Sequence, residues 1–195
     1  MNRRKVMFSG AAMLALPLMG CSVTGSPPVT FDLSAATAEK VRRRSTRTIV
    51  ITTPKAVQTY DTMRVVVREP GGILSYLPDA QLSDTLPSLL RTRVLQSFEN
   101  AAFPNIGLPD DQLSVDVTLA LEIRAFEIDV SEGSVASVSL AAKLVNERQG
   151  SIYASSVFSA ETPAPITPGT AAIAGLNEAL QQVTREIVAW TAAKA

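Results

Sequence analysis

Between residues 115 and 160 apolar and polar side chains alternate through three successive runs, and few folds can satisfy that pattern. Val115, Val117, Leu119, Leu121 and Ile123 alternate with Asp116, Thr118, Ala120 and Glu122. The phase then flips, and Phe126, Ile128 and Val130 take the apolar positions. Strand side chains have a period of two, so a one-residue slip of phase predicts a β-bulge, here near Arg124-Ala125. Ser131-Glu132-Gly133-Ser134 reads as a turn, after which Val138, Leu140, Ala142 and Leu144 alternate again. Asn146 to Gly150 makes a second turn, and Ile152 to Ala160 a third strand. Three long consecutive strands with tight turns form an antiparallel meander, and one of its faces must be covered.

Two segments have the spacing to cover it. From Leu82 to Ala102 the apolar residues Leu82, Leu86, Leu89, Leu90, Val94, Phe98 and Ala101 fall on one helical stripe. Ser83 or Asp84 can cap its start, and Pro87 fits if it lies in the first turn. Beyond Pro163, Pro165 and Pro168 a second stripe runs through Ile173, Leu176, Leu180, Val183, Ile187 and Trp190 at steps of three and four. Such a helix in a small domain reads as core packed on a sheet; a helix that binds a partner is the alternative. Upstream, Thr48–Thr53 and Met63–Arg68 read as strands, Glu69-Pro70-Gly71-Gly72 as a turn, and Ile73–Leu77 as a short returning strand. The expected fold is therefore α+β: an antiparallel sheet with a long three-stranded meander, covered by two amphipathic helices.

The N-terminus speaks to location. Asn2-Arg3-Arg4-Lys5 is a compact basic region, followed by an apolar run from Val6 to Leu18 that is too short to span a bilayer. This is the layout of a secretory signal. It ends in Leu18-Met19-Gly20-Cys21, which resembles the lipobox of bacterial lipoproteins. The resemblance implies cleavage between Gly20 and Cys21 and thioether lipidation of Cys21. A plain secretory signal with a chance cysteine is the alternative, but Cys21 is the only cysteine, and a lone one in an exported chain calls for an explanation. By the sorting pattern of such lipoproteins, Ser22 after the cysteine favours the outer membrane, on its periplasmic face. The domain layout expected is a signal over 1–20, a lipidated N-terminus and tether over 21–47, and one α+β periplasmic domain over 48–195. Phe31 and Leu33 sit where a first strand can begin. Arg42, Arg43, Arg44 and Arg47 form a basic cluster that is either a solvated linker or a contact for anionic headgroups; so short a cluster attracts weakly at physiological salt.

Composition narrows the chemistry. The signal holds three basic residues and no acid, so the mature chain keeps 15 basic against 18 acidic residues, a net charge of −3. That argues against a nucleic-acid partner, which normally calls for a basic surplus. There is no histidine, hence neither the commonest general base nor the commonest metal ligand. With Cys21 lipidated, thiol catalysis and Cys/His zinc sites go too. No cofactor motif and no metal-ligand set is found. Glu122, Glu127 and Asp129 lie close on one strand and are the one arrangement that could suggest acid/base work. The simpler reading is the solvent face of a half-exposed sheet, and no catalytic residues are assigned.

Several stretches taken in order carry a family likeness. They are Tyr76-Leu77-Pro78-Asp79-Ala80; Leu86-Pro87 with Leu89-Leu90; Phe98-Glu99-Asn100; Glu122-Ile123-Arg124-Ala125-Phe126; Leu144-Val145 with Glu147-Arg148 and Gly150; and Gln181-Gln182-Val183, Arg185-Glu186-Ile187-Val188 and Trp190. Together, over roughly residues 30 to 192, the chain resembles the ABC-type transport auxiliary lipoprotein family, to which PqiC-like lipoproteins belong. The resemblance implies a non-catalytic subunit working with a mammalian-cell-entry (MCE) system that moves phospholipid between inner and outer membranes. The implied partner is an MCE-domain protein. A head of this kind could also form a homo-oligomer, and the last helix and an exposed strand edge are its expected contact surfaces. An outer-membrane assembly or structural lipoprotein that takes no part in lipid transport is the alternative.

Overall fold

In the computed structural model the chain is described over residues 27–40 and 46–195. Its elements are β1 (Val29–Phe31), β2 (Ile49–Ile51), β3 (Arg64–Arg68), β4 (Leu74–Leu82), α1 (Leu86–Asn100), β5 (Ile106–Gly107), β6 (Val117–Asp129), β7 (Val135–Asn146), β8 (Ser151–Pro163) and α2 (Gly169–Lys194). The architecture is α+β, as the hydrophobic pattern requires.

β6 organises the sheet because it is long and pairs on both edges. On one side it runs antiparallel to β7, which runs antiparallel to β8, giving the expected meander. The register slips between Ile123 and Ala125, so Arg124 is the bulge residue. Before it Val117, Leu119, Leu121 and Ile123 are buried; after it Phe126 and Ile128 are, so the bulge keeps apolar side chains on the covered face across the flip. On its other side β6 pairs in parallel with β2 at its N-terminal end and with β3 at its C-terminal end. β5 adds to β2 and β1 to β4, both in parallel. The antiparallel arrangement expected throughout thus holds for the meander and for β3–β4. The eight-stranded sheet is mixed and curls into a half-barrel. Alternation reports which face is buried and is blind to the direction of a neighbour, so the parallel pairs were not legible in it.

Two boundaries differ from expectation for a physical reason. β4 runs from Leu74 to Leu82, through Pro78 and five residues past the expected end at Leu77. Its ladder with β3 is interrupted between the Val66–Tyr76 and Arg64–Gln81 pairs, and proline is tolerated in such an irregular stretch. Leu82 therefore belongs to a strand, opposite Phe31, and α1 begins at Leu86 with Pro87 in its first turn. Asp84 lies one residue before the N-cap Thr85; its carboxylate accepts from the Thr85 backbone N–H and the Ser88 hydroxyl, each at 2.6 Å. Residues 29–36, read as part of the tether apart from a strand start at Phe31–Leu33, lie on the domain. Leu33 and Ala36 are buried, and the Ala36 N–H donates to Ser97 Oγ at 2.8 Å.

α2 lies across β7 and β8, with contacts to β4, β6 and α1. Its buried stripe of Ile173, Leu176, Leu180, Val183 and Ile187 meets the inner residues Ala136, Val138, Leu140, Ala142 and Leu144 of β7. Each large side chain sealed there contributes roughly 1.5–3 kcal/mol. Trp190 is half-buried, edge-on to Phe158 at 5.6 Å between ring centroids. This apolar stripe faces the sheet, so α2 is core rather than a free partner helix.

Candidate interaction surface

The three acids of β6 are the natural place to look for chemistry, and the fold gives each a different neighbourhood. Glu122 is part-exposed, with Arg124 Nε 4.0 Å away. Asp129 accepts from the Ser131 hydroxyl and the Ser131 backbone N–H, and these bonds hold its carboxyl below the usual range. Glu127 is different: only 4% of it is exposed. Its carboxylate accepts from Arg68 Nε at 2.5 Å and Nη2 at 3.0 Å, and from the Tyr60 hydroxyl at 2.7 Å. Burial, then the bond to the anionic Glu127, push the Tyr60 hydroxyl up to about 12. The same carboxylate raises the Arg68 guanidinium. The cluster fastens the segment after β2 onto the back of the sheet. Glu127 thus departs from the solvent-face reading that Glu122 and Asp129 fit better. Alternation could not reveal it, because the covering residue, Tyr60, lies in a loop 67 positions away.

The start of α2 is set by the Tyr76–Ala80 stretch. The Gly169 N–H donates to Asp79 Oδ2 at 3.1 Å, and a Cβ on Gly169 would come within 2.6 Å of Asp79 Oδ1. Arg64 lies over the Tyr76 ring at 3.8 Å from its centroid. β1 joins the sheet beside this point, with Val29 opposite Ala80. The chain therefore reaches the domain near the start of α2, towards the Ser131–Ser134 end of the meander. Cys21 and Gly20 lie outside the described residues, as do Arg42, Arg43 and Arg44. Arg47 is placed at the opposite end, over the Tyr153 ring at 5.8 Å. There it lines a cleft of about 390 Å³ with Asp116, Asn146 and Arg148, where Arg148 Nη2 meets Asp116 Oδ1 at 3.1 Å.

The third feature is the free side of β8. Among the described residues β7 is its one strand partner, and Ile152, Tyr153 and Val157 on it are exposed. No helix among the described residues is long and apolar enough to cross a membrane.

A mixed sheet backed by two helices thus carries a long free edge on β8 and, at one end, a cleft in which Arg148 is paired with Asp116. The chain belongs to the ABC-type transport auxiliary lipoprotein component family, whose model matches residues 31–188. An uncharacterized protein of Bradyrhizobium diazoefficiens is 26% identical over 144 residues, which is 73% of this chain and 39% of that protein; the chain spans well under half of that relative. The crystal structure of XCC0632 from Xanthomonas campestris superposes with a TM-score of 0.75 at 24% identity, covering 85% of this chain and 95% of that one. A second crystal structure, of an uncharacterized protein, gives a TM-score of 0.67 at 13% identity, covering 85% and 99%. At these identities the two structures show the fold alone.

Proposed function

We propose that this protein is a lipid-anchored, non-catalytic auxiliary subunit of an ABC/MCE-type phospholipid transport system, held by Cys21 at the periplasmic face of the outer membrane and docking onto an MCE-domain protein. The observation that carries this reading is the family match over residues 31–188, joined to the lipobox-like Leu18–Cys21 just ahead of it. The fold supports it. β1 receives the chain only eight residues after Cys21, a reach of about 28 Å when fully extended. The head would then be held close to the membrane, with the edge of β8 open to a partner.

The test is recovery of the complex. A C-terminally tagged chain is extracted from the envelope in mild detergent and measured by native mass spectrometry. The expected result is a lipidated chain together with an MCE-domain protein, and loss of the lipid mass in Cys21→Ala. Recovery with an unrelated outer-membrane assembly, and never with an MCE-domain protein, would reject the transport reading in favour of an assembly lipoprotein.

A further inference from the structure

We propose that the end of the head carrying Ile73 and Ile166 rests in the membrane interface, in contact with zwitterionic phospholipid. The proposal rests on the lipid anchor at Cys21 and concerns which end of the head that anchor turns towards the bilayer. β1 runs parallel to β4, so the chain enters β1 from the end where β4 begins. β3 and β6 finish at that same end, where Arg68 pairs with both Leu74 and Asp129. Val29 lies opposite Ala80, beside the Gln81–Arg64 pair, roughly 10 Å short of Arg68 along the strands. The stretch from Cys21 to Val29 reaches about 28 Å when extended, enough to carry the anchor past this end. Pro27-Pro28, just ahead of β1, favour extended backbone and keep the chain on that course. The other end of the meander lies about 40 Å away along the 13 residues of β6, on the side the chain does not come from.

Two connections form the surface there. The β3–β4 turn brings Ile73 and Leu74, 60% and 42% exposed, and the β8–α2 connection brings Ile166, 37% exposed. Backbone bonds fix both connections beside the turn between β6 and β7. The Val130 N–H donates to the Arg68 carbonyl at 2.9 Å, and the Ala164 N–H to the Ser134 carbonyl at 3.0 Å. Residues 70–78 and 162–177 hold no charged side chain, so neither connection would carry an ion into the interface. Apolar side chains on such a surface can sit about 5–10 Å into the boundary between headgroups and acyl chains. Single exposed apolar residues are ordinary; these are set apart by lying on two uncharged loops at the end the anchor leaves from. Ile152 and Tyr153 are exposed too, but at the opposite end, where Arg47 lies over the Tyr153 ring. Charge selects the lipid. Glu132 and Glu161, exposed around one hollow at this end, repel anionic headgroups and suit the ammonium of zwitterionic ones.

Lipidation of Cys21 leaves the wild-type chain without a free thiol, so a cysteine placed elsewhere can be labelled alone. The full lipidated chain is prepared as Ile73→Cys, Ile166→Cys, Leu113→Cys and Ile152→Cys, each at an exposed position that leaves the core intact. Each is labelled with a polarity-sensitive dye and reconstituted into vesicles of phosphatidylethanolamine and phosphatidylcholine, with or without lipid bearing a nitroxide near the headgroup end of its acyl chain. The dyes at positions 73 and 166 should gain emission on reconstitution and lose roughly half of it to the nitroxide, while those at 113 and 152 stay unchanged. Adding Ile73→Glu to the labelled Ile166→Cys chain should cut that quenching about twofold, because a carboxylate stays on the water side. Equal quenching at all four positions, quenching at 152 alone, or none at 73 and 166 would overturn the contact. Emission gained at 73 and 166 without quenching would put a protein surface over this end and overturn it as well. Dye uptake by the wild-type chain is a separate failure: it would refute lipidation of Cys21 and remove the anchor on which the contact depends.

Discussion

Replacing Arg68 with alanine strips two of the three hydrogen bonds from the Glu127 carboxylate and leaves it holding only the Tyr60 hydroxyl. Breaking a buried ion pair by removing one partner costs about 3–5 kcal/mol, because the other charge stays desolvated. Here the cost should fall at the lower end, near 3 kcal/mol, since the Arg68 side chain is 35% exposed and its removal lets water approach the acid. Tyr60→Phe removes one bond to a charged acceptor and should cost about 1.5–3 kcal/mol. Glu127→Gln keeps the shape and removes the buried charge, so it should cost less than Arg68→Ala. In a domain of this size 3 kcal/mol lowers Tm by roughly 6–12 °C. The assay is urea unfolding at a slope common to all variants, with Arg68→Ala/Tyr60→Phe completing a double-mutant cycle. The two substitutions act on one carboxylate, so their effects should not add. An Arg68→Ala chain within about 0.5 kcal/mol of wild type would refute the reasoning and mark the pair as no more than a surface contact.

The same cluster predicts an alkaline limit. Tyr60 is raised to about 12 in the folded chain, against about 10 unfolded, so its contribution is complete below pH ~10 and is lost as pH rises towards ~12. Stability measured over that window should fall in wild type and fall less in Tyr60→Phe; identical curves would exclude Tyr60 as the cause. At the acid end Asp32, lowered mainly by its bond to Arg93, contributes above its unfolded value near 4 and loses that contribution as pH falls. Gly175 gives a packing test, because a Cβ there would meet the Ala164 Cβ at 2.6 Å and the Ala136 Cβ at 3.3 Å. Gly175→Ala forfeits the ~1 kcal/mol that helix propensity would otherwise give, and Gly175→Leu should cost more than about 3 kcal/mol in thermal unfolding. A Gly175→Leu chain as stable as wild type would mean that α2 does not press on β7 as described.

The meander, its bulge and the two helical stripes were legible in the chain, because each is a local periodicity. Arg124 at the bulge and the buried face of α2 followed from nothing more than the spacing of apolar side chains. The direction of β2 and β3 beside β6 was not legible, since a parallel and an antiparallel neighbour bury the same alternate residues. Nor was the end of β4: Pro78 reads as a stop unless the ladder beside it is already broken. Residues 29–36 looked polar enough for a tether, yet hydrogen bonds to residues far along the chain hold them down. Glu127 is the clearest case. On its strand it is one acid among three, and only the return of Tyr60 and Arg68 turns it into a buried, paired charge. Sequence alone determined which side chains must leave water. The tertiary structure decided which distant groups meet them there, because contacts between residues 60, 68 and 127 leave no periodic trace in the order of the amino acids.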